Sequence, residues 1–289
     1  MTLTTGRSRV FAALALCAAA VGLLVATPMA RSFGGDLLGQ FRVKRFTAVT
    51  FDPTQMHGLP DLAELGTISS LKQGRHRSVA SAQEAGTLAG MTVRAAEEDA
   101  SLGSARFTVI EESSASFTLD AAQARAHLDE IGHSGFHIPD RFDGAVLTVD
   151  IPALVVAEYG SRSNRLRLGP DAFIGDSVFV VQGRSPRVRL AGNVTFAELR
   201  ELLLSMPGLT PETAAQLRAI DDWMTALPIP VPLGIGIARD VAVNGSPGLA
   251  LADNTGAGGL VLWARDDFVF AVGGARTADD LLSIASSLG

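Results

Sequence analysis

Asp240 to Val272 reads DVAVNGSPGLALADNTGAGGLVLWARDDFVFAV. Apolar runs rich in Val, Leu, Phe and Trp alternate there with short polar breaks. Asn244-Gly245 between Asp240–Val243 and Gly248–Ala252 is a strong hairpin signal, because both central residues of such a turn need a positive φ. Asp266-Asp267 sits in the same way between Gly259–Ala264 and Phe268–Val272. Consecutive strands joined by two-residue turns must run antiparallel. Thr277, with Asp280 three positions on, then caps a helix to Leu288 whose apolar side is Leu281, Leu282, Ile284, Ala285 and Leu288.

Working toward the amino terminus, strands outnumber helices. AVLTVDI and LVVAEY, broken at Pro152, and SVFVVQ at 177–182 read as strands, as do RFTVI at 106–110 and SFTL at 116–119. RVKRFTAVTF at 42–51 reads as another, ended by Asp52-Pro53. A short strand is expected at Met91–Arg94, and EEDASLGS after it as a loop. Gly66–Arg77 is polar and reads as an exposed loop or ragged strand. Helices are expected at Ser81–Ala89, closed by Gly90, and at Ala121–Ile131, capped by Asp120. Another is expected at Phe196–Met206, with the capping box Thr195/Glu198. A last one starts at Thr210-Pro211 and carries Leu217, Ile220, Trp223, Met224 and Leu227 at helical spacing. The PIPVP that follows must run extended. Helices grouped between strand runs indicate an α+β fold with a mostly antiparallel sheet, in one continuous domain.

Val10–Ala30 is an unbroken apolar run preceded by Arg7 and Arg9 and closed by Arg31. Its 21 residues span roughly 30 Å as a helix, the thickness of a bilayer's hydrocarbon core. The preceding arginines favour a cytoplasmic amino terminus. The reading is a short cytoplasmic tail 1–9, a transmembrane helix 10–30 and an extracytoplasmic domain 31–289. A signal peptide cut after Ala30, or a lipoprotein signal at Cys17, are the alternatives; all three export the rest of the chain. Asp36–Val43 reads as a short amphipathic helix after the run.

Net charge is −6, with 47% hydrophobic and 19% charged residues. That acidity argues against a nucleic-acid partner and against strong electrostatic docking to anionic lipid. Of 24 basic residues only Lys44 and Lys72 are lysines. Cys17 is the single cysteine, so the exported part has no disulfide, thiolate nucleophile or cysteine metal site.

FRVKRFTAVTFDP, PGLTPETAAQLRAIDDWMTALPIPVP and VNGSPGLAL…GLVLWARDDFVFAVGG…ADDLLSIASSL together resemble an uncharacterised bacterial extracytoplasmic domain family that follows a single membrane helix. Its relatives include proteins with anti-sigma-factor-like cytoplasmic segments. The resemblance covers most of residues 36–289. It implies the fold of envelope lipoprotein-carrier and lipoprotein-sorting proteins, a curved antiparallel sheet packed by helices. It carries over no catalytic residue. With only nine residues before the apolar run, no sigma-binding or zinc module fits.

Candidate chemistry is sparse, and no cofactor or metal is expected. His133 and His137 have the spacing of two metal ligands on a helix. Gly132, Gly135 and Pro139 speak for a loop instead. Gly132-His133-Ser134-Gly135 falls short of a nucleophile elbow, with Phe136 in the last position. Asp221-Asp222 and Asp266-Asp267 are adjacent carboxylates, which suit turns better than acid/base work. Gly234-Ile235-Gly236 and Gly256–Gly259 read as turns rather than phosphate loops. Arg75-His76-Arg77 and Arg184–Arg189 read as solvated basic faces, with contact to lipid headgroups as the lesser reading. Trp223, Met224, Leu227 and Trp263 are expected as one apolar cluster, either core or the wall of a groove for an acyl chain or peptide. The functional expectation is a non-catalytic membrane-anchored binding domain for an envelope protein. A lipid or lipoprotein acyl-chain module is the alternative, and an envelope hydrolase the last.

Overall fold

The computed structural model describes residues 41–52, 54–55, 61–96, 102–160, 177–234 and 236–288. The tail 1–9, the apolar run 10–30, Cys17 and residues 36–40 of the expected amphipathic helix lie outside them, as do Pro53 and residues 97–101 of the expected loop. Among the described residues no helix is long and apolar enough to cross a membrane.

β1 (Phe41–Arg42) and β2 (Arg45–Phe51) open the described chain, so no helix runs through Phe41–Val43. Val43 is buried between them, and its N–H donates to Ser185 Oγ at 2.7 Å. One helical turn, α1 (Leu62–Leu65), leads into β3 (Gly66–Lys72) and β4 (His76–Val79). The polar stretch 66–77 is therefore mostly paired strand. α2 (Ala82–Ala89) has the expected ends: Ser81 accepts from Glu84 N–H, and Gly90 at φ 64° closes it.

Met91–Arg94 is not a strand. Side chains hold this stretch instead. Gln182 accepts from Arg94 N–H at 2.9 Å and donates to Arg94 O at 2.7 Å, while Tyr159 Oη accepts from Ala96 N–H at 2.8 Å. Burial raises the Tyr159 pKa.

β5 (Arg106–Ile110), β6 (Ser113–Leu119), α3 (Ala121–Glu130), β7 (Val146–Ile151), β8 (Leu154–Tyr159) and β9 (Val178–Arg184) follow the sequence reading closely. β10 (Arg187–Ala191) is a strand where a basic cluster was expected. α4 (Phe196–Leu204) carries the full Thr195/Glu198 capping box. α5 (Pro211–Arg218) stops well short of Leu227. Asp222 then caps a turn, accepting from Met224 N–H at 2.9 Å and Thr225 Oγ1 at 2.8 Å. β11 (Ala226–Pro232) runs extended, because prolines at 228, 230 and 232 cannot continue a helix. β12 (Gly236–Val243), β13 (Ser246–Asp253), β14 (Gly259–Arg265) and β15 (Phe268–Gly274) form the meander, and α6 (Ala278–Ser287) ends it. Both two-residue turns have positive φ: 48° and 80° at Asn244 and Gly245, 51° and 69° at Asp266 and Asp267.

The fold is α+β with mostly antiparallel sheets and few helices. An eight-stranded sheet has the order β12-β13-β14-β15-β9-β8-β5-β4, and a five-stranded sheet the order β1-β10-β7-β6-β3. β2 and β11 form a parallel pair of their own. Alternate prolines leave β11 its donors only at Ala226, Leu227, Ile229 and Val231, enough for a partner on one edge.

The two larger sheets share one construction. β9 and β10, β8 and β7, β5 and β6, and β4 and β3 stand in the same order in both. Each pair is one stretch of chain that crosses between sheets within two or three residues. The crossing line holds Gly74, Glu111-Glu112, Pro152-Ala153 and Ser185-Pro186. Pro152 and Pro186 remove ladder donors there. A Cβ on Gly74 would lie 2.2 Å from Glu111 O, so the chains approach too closely for a side chain.

The main core lies between one face of the eight-stranded sheet and helices α2 and α6, around Val155, Val180, Trp263, Phe270, Leu281 and Ala285. On the other face, Leu249 and Leu251 pack against Ile229 and Val231 of β11. α3 and α4 cover one face of the five-stranded sheet through Leu119, Leu128, Leu199 and Leu202.

Candidate functional site

The four apolar candidates divide among separate places. Trp263 of β14 lies opposite Phe270 of β15 in the main core, with their rings stacked 5.0 Å apart at 10°. Leu227 of β11 packs beside Ile229 and Val231. Trp223, in the turn after α5, packs against Val49, Ile220 and Ala226. Its Nε1–H donates to Leu217 O at 2.9 Å. Met224 is held through its backbone, its O accepting from Arg42 N–H at 2.9 Å. The expected single cluster rested on a helix running through 227, and that helix ends at Arg218.

The Trp223 turn is also a charged corner. The Arg200 guanidinium lies 5.1 Å from the Trp223 ring centroid and donates to Arg218 O at 2.9 Å. Hydrogen bonds from Thr225 and Met224, then the nearby charges of Arg45 and Lys44, hold the Asp222 carboxyl below its ordinary pKa. Arg45 Nε and Arg200 Nε are buried without hydrogen-bond partners. Carbonyls at the α5 end and the Asp222 carboxylate balance these cations, so the corner reads as a fastened helix terminus.

Most other candidates also hold structure. His133 follows α3 in a turn, its N–H donating to Leu128 O at 2.7 Å, so His133 and His137 do not share a helix face. Ser134 lies in the same turn, with no strand leading into it. Asp267 accepts two bonds from Arg42 Nη1, at 3.0 and 2.8 Å, and its backbone O accepts from Ser185 N–H at 2.7 Å. That carboxylate fastens β1 to the β14–β15 turn. Arg75 and Arg77 share Glu111, at 3.2 and 3.1 Å, and the bond from Arg75 is the main cause that lowers the Glu111 pKa. Gly234 and Gly256 have φ of 77° and 66°, as turns require. Among the described residues no three His, Cys, Asp or Glu side chains gather as a metal site.

The five-stranded sheet holds a grouping that local reading missed. Register places Lys72, Ser114, Asp150, Arg187 and Arg42 in one row across all five strands. The next row on that face is Ser69, Ser116, Thr148 and Arg189. The opposite face carries Ser70, Ala115, Val149, Val188 and Phe41, then Ile68, Phe117, Leu147 and Leu190. Asp150 accepts from Ser114 Oγ at 2.6 Å and from Arg189 at 2.8 Å. Lys72 pairs with Glu112. The polar face is thus hydroxyl-rich, and most of its cations are paired: Arg42 with Asp267, Lys72 with Glu112 and Arg189 with Asp150. Its one local signal was the alternation in Arg187-Val-Arg-Leu-Ala191, which is strand periodicity rather than a basic run.

The chain matches no family model, no curated protein and no solved structure.

Proposed function

We propose that the protein is a membrane-anchored, non-catalytic extracytoplasmic domain that binds an envelope protein. One observation carries this reading. An uncharged apolar run of bilayer length, flanked by arginines, stands ten residues before β1. The carboxylates singled out for chemistry support it by their engagements. Asp222 caps a turn and Asp267 fastens a strand. An anchor on a domain of this kind keeps a binding surface at the outer face of the membrane.

The test has two parts. Reporter fusions after residue 9 and after residue 289 should place the first in the cytoplasm and the second outside it. The full chain should stay with membranes through alkaline carbonate washing. Crosslinking in intact cells should then join the domain to a specific envelope protein. Release by carbonate would refute the anchor, and a clean crosslinking result at saturating reagent would refute the binding role.

A further inference from the structure

We infer that the outer edge of β12 pairs with the same edge of a second copy of the chain, antiparallel and about a two-fold axis. The inference rests on this edge alone and does not depend on the anchored reading above.

The edge strands of the two larger sheets are β1 and β3, and β12 and β4. Three of these edges are guarded. β1 has only two residues, and β3 shifts register between Ser70 and Lys72. β4 has four residues, and its Arg77 pairs with Glu111. Short, irregular or charged edges are poor templates for another strand. β12 has none of these protections. Its eight residues run in unbroken register with β13 and include no proline and no lysine.

Val243 and Ser246 close the Asn244-Gly245 turn as a hydrogen-bonded pair, so the odd-numbered residues of β12 bond to β13. The N–H and C=O of Ala238, Asp240 and Ala242 therefore point away from the sheet. Among the described residues no hydrogen bond reaches these groups. Asp240 and Ala242 are exposed. Apolar surface is uncovered beside them. Leu233 at 55% and Ile237 at 60% are the most exposed large apolar side chains among the described residues, and both stand at the start of β12.

The edge is complementary to itself. A two-fold axis normal to the sheet keeps every side chain on its own face, so facing residues share parity. Centred on Arg239, the pairing sets Ala238 opposite the second copy's Asp240, and the two exchange both backbone hydrogen bonds. Ile237 then faces the second copy's Val241, twice about the axis, which covers its exposed side chain. Charge fits the same register. Each Arg239 is paired with Asp279 at the start of α6. The axis therefore brings two guanidiniums and two carboxylates together, and the facing arginines meet with their counter-charges in place.

The test is sedimentation equilibrium of the full chain with Cys17→Ser in detergent solution. A monomer–dimer equilibrium is expected. Ile237→Lys puts a charge on the edge, and Asp240→Pro removes an N–H that β13 does not use. Each should raise the dimer Kd about tenfold or more. Asp240→Ala should leave it unchanged, and circular dichroism should show all three variants folded. Under mild oxidation Arg239→Cys, on the axis, should crosslink two chains. Ala242→Cys, about 20 Å from its counterpart, should not. A monomer at every concentration would overturn the inference, and so would a dimer that Ile237→Lys leaves intact, since it would form through another surface. Crosslinking at 242 and not at 239 would overturn it as well.

Discussion

The two larger sheets are built from four shared stretches of chain, yet they use their faces differently. The eight-stranded sheet is covered twice at β13 and β14, by α6 on one side and by the β2–β11 pair on the other. Its strands there, such as GLVLWAR and GLALA, are almost continuously apolar. Among the described residues the five-stranded sheet is covered by helices on one face, and its strands alternate, as in RVRLA and SSASFTL. Two-sided burial concentrates stability, while one-sided burial leaves a face free to carry charge. Apolar burial therefore concentrates in one sheet and paired surface charges in the other.

The largest effects should come from the doubly covered sheet. Trp263→Ala removes a ring at 3% exposure that stacks on Phe270, and should cost about 3–5 kcal/mol in denaturant unfolding. A loss near that of an exposed substitution would mean that the meander is not the stability centre. Gln182→Leu should come next. The amide is 1% exposed and serves both backbone groups of Arg94. Each group left unpaired costs about 1–3 kcal/mol. Hydrogen exchange should show residues 91–96 opening while β9 stays protected. Uniform loss of protection would refute the clamp.

These residues also mark how much of the molecule was legible in its sequence. The meander was readable because Asn244-Gly245 and Asp266-Asp267 state their turns locally. Helix ends at Ser81, Gly90, Asp120, Thr195 and Thr277 were readable for the same reason, since caps act within four residues. Met91–Arg94 misled because Gln182 satisfies it from far along the chain. The spacing of Leu217, Ile220, Met224 and Leu227 mimicked a helix, although Asp222 and the prolines ended it. The polar face of the five-stranded sheet could not be read at all as a face. Lys72, Asp150 and Arg187 become neighbours only through strand register, which depends on long-range pairing.

A smaller effect is expected where a helix covers the five-stranded sheet. Thr195→Ala should cost about 1 kcal/mol by removing the α4 cap. The Glu198 carboxylate accepts from Thr195 N–H at 2.8 Å, and that bond is the main cause that holds its pKa below the ordinary 4.5. A lowered folded-state pKa gives stability that is complete above 4.5 and lost as pH falls through the folded value. Glu198→Gln should therefore flatten part of the stability curve below that pH and leave its slope near neutrality unchanged. An unchanged acid limb in this variant would remove Glu198 from the cap.

The smallest effect should fall on the polar face of the five-stranded sheet. Arg189 donates to Asp150 at 2.8 and 3.1 Å, but its side chain is 60% exposed. Exposed pairs contribute about 0–1 kcal/mol and are screened by salt. Arg189→Gln should thus leave unfolding nearly unchanged, and less affected still at high salt. That near-neutrality matters because it separates the Arg189–Asp150 pair from the Arg42–Asp267 pair, which fastens β1 to the β14–β15 turn. A cost of 2 kcal/mol or more, on the scale of a buried pair, would assign Arg189 to the fold and erase the distinction between the two sheets.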